Sequence, residues 1–197
     1  MLLYNAAISG NCYKARLLLA QLGIDYERRE VDVFDRSQRP ELLGGLSPAL
    51  RVPVLVLDDG RPLAESNAIL HYLAQGSEYL PQDRYEHAQV LQWMFFEQYE
   101  HEPAIAIARF WELAGLHRPE EELQSKLRAG NRALAALERH LAEREFLVAE
   151  RYTIADIALY AYTHVAPEGG FELTPYDAVR AWLARVAAVP GHIEISE

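Results

Sequence analysis

The hydrophobic pattern of this chain changes period once, near residue 76, and that change limits what it can fold into. Before it, short apolar runs alternate with helical spacing. Leu2-Leu3-Tyr4 reads as a short strand. Ala15, Leu18, Leu19 and Leu22 recur at i, i+3, i+4 and i+7, which predicts an amphipathic helix stopped by Gly23. Tyr26 to Val33 alternates apolar and polar side chains, as a half-buried strand does, and Pro40 to Leu46 allows a short helix ending near Gly44-Gly45. The β-branched run Val52 to Leu57 meets a hairpin-type turn at Asp58-Asp59-Gly60 and returns through Arg61-Pro62-Leu63. Glu65 to Gln75 is helical, with Ile69, Leu70, Tyr72 and Leu73 on its buried side. The expected order is βαβ followed by αββα.

After the change no strand is expected. Residues 85–114, 119–144, 153–165 and 176–188 show helical spacing, and Pro119 before Glu120-Glu121-Glu122 is a helix start with anions at the positive end of the dipole. Gly76 to Asp83 reads as a linker. The expected domains are therefore 1–76 as an α/β unit, 77–84 as a connection and 85–197 as an all-α unit.

Composition narrows the function. The 197 residues are half hydrophobic, enough for two small cores, and no apolar run approaches the ~20 residues of a membrane span. Met1 leads directly into Leu2-Leu3-Tyr4 without a basic start, and Cys12 is the sole cysteine, so a reducing cytoplasm is the expected setting. The net charge of −10 repels phosphate backbones and disfavours nucleic acid. Most of that charge lies late. Residues 1–80 hold 8 Lys/Arg against 10 Asp/Glu, and residues 81–197 hold 11 against 19. No His-Glu-x-x-His, clustered Cys/His, phosphate loop or Gly-x-Ser-x-Gly elbow occurs, so neither a metal nor a nucleotide is expected.

Four segments carry chemistry. Val52-Pro53 opens a strand, where proline is tolerated in trans; a cis bond would instead turn the Val52 main chain toward an extended ligand. Glu65-Ser66 starts a helix. It can be a plain cap, or it can bind an amino acid, with Ser66 and free N–H groups on the carboxylate and Glu65 on the ammonium. Ser9-Gly10-Asn11-Cys12 precedes the first long helix, where Ser9 either caps the helix or donates to a thiolate at its positive end. Cys12 is a rival nucleophile there, or a small core side chain. Thr153-Ile154-Ala155-Asp156 forms a capping box ahead of Ile157-Ala158-Leu159-Tyr160 and reads as structural, with Tyr152 and Ile157 as its staple.

In this order and spacing, these segments resemble the cytosolic glutathione transferase superfamily, serine type, similar to the theta and bacterial Nu-like classes. The likeness spans essentially the whole chain. It implies a thioredoxin-like first domain, a helical-bundle second domain, a cis Val52-Pro53 bond, glutathione as co-substrate and a homodimer. By position it implies that Glu65 and Ser66 bind the γ-glutamyl group and Val52, with Pro53, the cysteinyl backbone. Gln38 and Arg51 fall toward the glycyl end. Ser9 matches the catalytic serine or threonine, and Asn11 the asparagine that assists it in Nu-like enzymes. Tyr4 is the alternative of tyrosine-type relatives. The zeta-class Ser-Ser-Cys signature is absent, which counts against maleylacetoacetate isomerisation. In the helical domain, Tyr99, Arg109, Phe110 and Trp111 are expected to line an electrophile pocket, or else to pack the helical core or a dimer interface. Glu97, Gln98, Glu100 or His101 would reach a partner subunit's glutathione.

Three functions follow from the resemblance. The first is a detoxifying transferase that directs the glutathione thiolate at a small electrophile. The second is a glutathione-dependent disulfide reductase of the Nu-like kind. The third is a non-catalytic protein-binding module that keeps only the fold.

Overall fold

The computed structural model describes all 197 residues, and they form two units. The first comprises Met1–Ser77 together with Pro190–Glu197; the second is Glu78–Val189.

The first unit is built on a four-stranded sheet in the order β2-β1-β3-β4, from β1 (Leu2–Asn5), β2 (Glu27–Glu30), β3 (Val54–Val56) and β4 (Pro62–Ala64). β1 pairs parallel with β2 and antiparallel with β3, and β3 pairs antiparallel with β4. Side chains alternate across the pleat, so β1 and β3 feed two cores. On one face Leu3 and Leu55 meet Ala15 and Leu19 of α1 (Gly10–Gln21) and Ile69 of α3 (Ser66–Leu73). On the other, Tyr4 and Val54 meet Val31 and Leu43, the latter from the short α2 (Arg39–Leu43). The element order is the βαβ followed by αββα read from the periodicity, and the arrangement is the thioredoxin-like one that the resemblance implies.

Two details differ from that reading. β2 keeps only four residues, all exposed, because the segment is a sheet edge; its Glu-Arg-Arg-Glu charges discourage pairing with another chain. Residues 190–197 return to the first unit instead of ending the helical one. Tyr13 Oη donates to the Ile193 carbonyl (2.7 Å) and Arg16 Nη2 to the Ile195 carbonyl (2.6 Å). This segment covers α1, which is buried along nearly all of residues 10–19, Lys14 and Arg16 included.

The second unit is all-helical: α4 (Arg84–Phe96), α5 (Glu102–Leu113), α6 (Glu120–Leu141), α7 (Ile154–Thr163) and α8 (Asp177–Ala187). Residues 85–114 do not make one uninterrupted α-helix. A π-helical turn, Glu97–His101, separates α4 from α5, immediately before Pro103 removes a backbone donor. Every residue of α7 is buried. Its capping box forms as the sequence predicts, with the Thr153 N–H donating to Asp156 Oδ2 (2.9 Å) and the Ala155 N–H to Thr153 Oγ1 (3.3 Å). Tyr152 packs edge-on against Tyr79 and Phe146. No helix is long and apolar enough to cross a membrane.

Candidate functional site

The loop after β1 delivers Ser9 to the start of α1. Ser9 is extended (φ −79°, ψ 119°), half-buried, and its Oγ accepts the Cys12 N–H at 3.3 Å. The cap uses an oxygen lone pair, so the hydroxyl proton remains able to donate to a ligand atom at the positive end of the helix. Beside this loop lies an open hollow of about 310 Å³, lined by Ala6, Ala7 and Ile8 on one side and Glu30 to Phe34 on the other.

The rival groups are withdrawn. Cys12 is fully buried, and its Sγ accepts the Ala6 N–H at 3.3 Å. Burial pushes its thiol up to about 11, with the Ser9 contact only partly opposing the shift. It is a core side chain, not a nucleophile. Tyr4 is 8% exposed in the second core, beneath the Arg29 guanidinium.

The second half of the site is the start of α3. Glu65 is exposed and holds φ +71°, ψ 116°, a conformation that side-chain-bearing residues rarely adopt and that persists where a site requires it. Ser66 follows, buried, with its Oγ donating to Asn11 Oδ1 at 3.1 Å. Behind it, Lys14 Nζ donates to Ser66 Oγ (3.4 Å) and Asn67 Oδ1 (3.3 Å). Asn11, Ser66, Lys14 and Asn67 thus form one hydrogen-bonded chain joining the Ser9 loop to α3. Lys14 and Asn67 had no signal in the sequence beyond their nearness to Asn11 and Ser66.

The Val52-Pro53 bond is cis. The Val52 main chain takes no part in the sheet, whose ladder begins at Val54. Arg51 is exposed, and its N–H donates to Ser47 Oγ (3.3 Å). Gln38, also exposed, precedes α2 without capping it. Neither side chain joins the Asn11–Ser66 chain. Arg39 stands near Arg51, however. Burial first, then the like charges of Arg36 and Arg51, push its guanidinium below its usual range. Together these three make a basic patch on an otherwise acidic protein, and Arg36 and Arg39 escaped the sequence reading.

The four residues expected to line an electrophile pocket have different fates within the second unit. Arg109 is buried and bound to Glu168 (Nε to Oε2, 2.7 Å), so its guanidinium is a structural group. Tyr99 is 83% exposed, whereas Phe110 and Trp111 are half-buried, with Arg118 over the Trp111 ring. Glu97 and His101, suggested as reaching a partner's ligand, are wholly buried. His101 Nε2 lies 2.9 Å from Thr163 Oγ1, whose proton goes to the Leu159 carbonyl, so the histidine is the donor.

Comparison with known proteins agrees with this fold. The family model described as glutathione S-transferase, N-terminal domain, matches residues 8–75, and the C-terminal domain model matches residues 87–190. The crystal structure of glutathione S-transferase from Pseudomonas fluorescens [Pf-5] is 48% identical, with TM-score 0.95 over 100% of this chain and 98% of that one. The disulfide-bond oxidoreductase YfcG of Escherichia coli (strain K12) is 30% identical over 91% of this chain and 87% of its own. Elongation factor 1-gamma of Artemia salina is 33% identical over 84% of this chain but only 40% of its own length. With both domain models matched in order and a close structural relative along its full length, the chain belongs to the glutathione S-transferase family.

Proposed function

We propose that this protein is a glutathione transferase that lowers the pKa of the bound thiol with Ser9, assisted by Asn11, for attack on a small electrophile. The carrying observation is the hydrogen bond between Ser66 and Asn11, which ties the carboxylate-binding start of α3 to the loop that bears Ser9. One tripeptide can satisfy the first unit's open groups. Its γ-glutamyl carboxylate meets Ser66 and the α3 N-terminus, and its ammonium meets Glu65. The cysteinyl backbone pairs with Val52 beside cis Pro53. The glycyl carboxylate faces Arg51 and Gln38, with the charge of Arg39 nearby.

Moving a thiol from a pKa of about 8.5 to roughly 6.5 takes ~2.7 kcal/mol of preferential thiolate stabilisation. A hydroxyl hydrogen bond to the charged form and the positive end of α1 are sufficient for this. Replacing Ser9 by alanine should raise the bound-thiol pKa and slow conjugation of a chloronitrobenzene at neutral pH, with recovery in alkali. An unchanged pH–rate profile would remove Ser9 from the mechanism.

A second reading has support in the likeness to the Escherichia coli disulfide-bond oxidoreductase. Here the Ser9-held thiolate attacks one sulfur of a disulfide, forms a mixed disulfide and releases the other half as thiolate. Turnover of a small disulfide beside the aryl halide separates the two reactions. A module without catalysis, as a likeness to elongation factor 1-gamma allows, would show neither turnover nor glutathione binding by calorimetry. Assembly as a homodimer, a role in detoxification and residence in the cytoplasm complete the proposal.

A further inference from the structure

We propose that Lys14 is a positioning residue that turns the Ser66 hydroxyl toward the ligand and makes the site select the α-carboxylate of the γ-glutamyl group; this rests on the glutathione reading above. The chain has two lysines, and Lys14 is fully buried. Burying an ammonium is costly unless its charge and hydrogen bonds are used. Here Nζ reaches Ser66 Oγ at 3.4 Å and Asn67 Oδ1 at 3.3 Å.

Lysine donates and never accepts, so this contact makes Ser66 Oγ an acceptor from behind. The Ser66 proton must then point elsewhere, and without ligand it points to Asn11 Oδ1, 3.1 Å away. An incoming carboxylate takes that proton in place of Asn11 Oδ1, while Ser66 Oγ keeps the hydrogen bond it accepts from Lys14. The positive charge of Lys14 also lies against the first two side chains of α3, away from water, where screening is weak. A carboxylate is favoured on both counts, whereas a ligand lacking one gains nothing from either.

The test compares glutathione with 4-aminobutanoyl-cysteinylglycine, which keeps the amine and lacks the α-carboxylate, by calorimetry on the wild type and Lys14→Gln. Wild type should prefer glutathione by ~100-fold, the range of a charge-assisted hydrogen bond. Lys14→Gln should weaken glutathione by ~30-fold and the analogue by less than ~3-fold. Equal losses for both ligands would reduce Lys14 to a core-filling residue and overturn the inference. Equal wild-type affinities would overturn carboxylate selection, and no wild-type binding of glutathione would instead overturn the glutathione reading itself. A variant that fails to fold leaves a test on the native protein. With 13C-labelled lysine, glutathione should shift the Lys14 side-chain signal and the analogue should not, with Lys126, bound to the Pro103 carbonyl in the other unit, as the internal reference. A Lys14 signal unmoved by saturating glutathione would refute the proposal.

Discussion

Replacing Asp156 by asparagine exchanges one buried oxygen for an NH2 group, and the cost follows from which oxygen is lost. Oδ1 accepts from the Leu147 N–H (3.0 Å) and Trp182 Nε1–H (2.9 Å); Oδ2 accepts from the Thr153 N–H (2.9 Å) and Thr153 Oγ1 (3.2 Å). An NH2 in place of Oδ1 would strand two donors. In place of Oδ2 it strands one, because Thr153 Oγ1 can turn and accept. Asparagine should take the second arrangement, leaving the Thr153 N–H unpaired and losing the charge that strengthened the remaining bonds. An unpaired buried donor and a weakened charge-assisted bond together cost about 3 kcal/mol.

The pH dependence sharpens the prediction. Burial raises the Asp156 carboxyl from 3.8 to about 6, against the opposing pull of Trp182, Thr153 and Leu147. Between these values the folded protein holds a proton that the unfolded chain has released. The resulting stability is fully present below about 4 and is lost as the pH rises through about 6, some 3 kcal/mol in all. Asparagine does not titrate, so the deficit of Asp156→Asn should widen by roughly 2 kcal/mol on acidification from pH 7 to 4.5. All three tryptophans, Trp93, Trp111 and Trp182, lie in the second unit, so urea unfolding followed by their fluorescence reports this unit alone. A deficit that narrows toward pH 4.5 would mean the donors outweigh burial and hold the carboxyl below its usual range. A deficit under about 1 kcal/mol at pH 7 would refute the hydrogen-bond argument.

Other positions give simpler tests. Native Cys12, buried and raised to about 11, should react with iodoacetamide at neutral pH at least ~100-fold more slowly than in urea; free-thiol reactivity would contradict its placement. Glu65→Gly should leave thermal stability unchanged or slightly raised, since glycine adopts φ +71° freely, while weakening glutathione ~10-fold through the lost carboxylate. A marked fall in Tm would show that Glu65 is structural. Gly169→Ala brings a Cβ to 2.8 Å from the Arg109 backbone nitrogen and should cost roughly 2 kcal/mol, whereas Gly45→Ala meets nothing within 4 Å and should be silent in urea unfolding.

The fold was legible because its signals are local. Apolar spacing located α1, α3 and the helices of the second unit, and the Asp58-Asp59-Gly60 turn located the β3–β4 hairpin. Thr153 and Asp156 announced α7 through their spacing. What escaped lies in contacts without such a signature. Residues 190–197 are held on α1 through main-chain carbonyls of Ile193 and Ile195, and any residue type supplies a carbonyl. Burial of Lys14 and Arg16 ran against the rule that charged positions on an amphipathic helix face water. The aromatic run around Arg109 suggested a pocket, yet its guanidinium answers to Glu168, 59 residues away in sequence. Among the proposed ligand residues, Glu65-Ser66 was legible as a helix start, and α3 begins there, although neither side chain caps it.

The buried charges Asp156 and Lys14 divide along functional lines. Asp156 is enclosed by donors from Leu147, Thr153 and Trp182, so its charge is consumed within the core and fixes one helix in place. Lys14 sits instead behind a serine at a helix start, next to a residue held at positive φ, so its field continues outward through Ser66. Unfavourable local features are tolerated together where a ligand can offset them. By that criterion Ser66 and Lys14 at the start of α3 fit the proposed role of holding a carboxylate, and the capping box of α7 serves the fold.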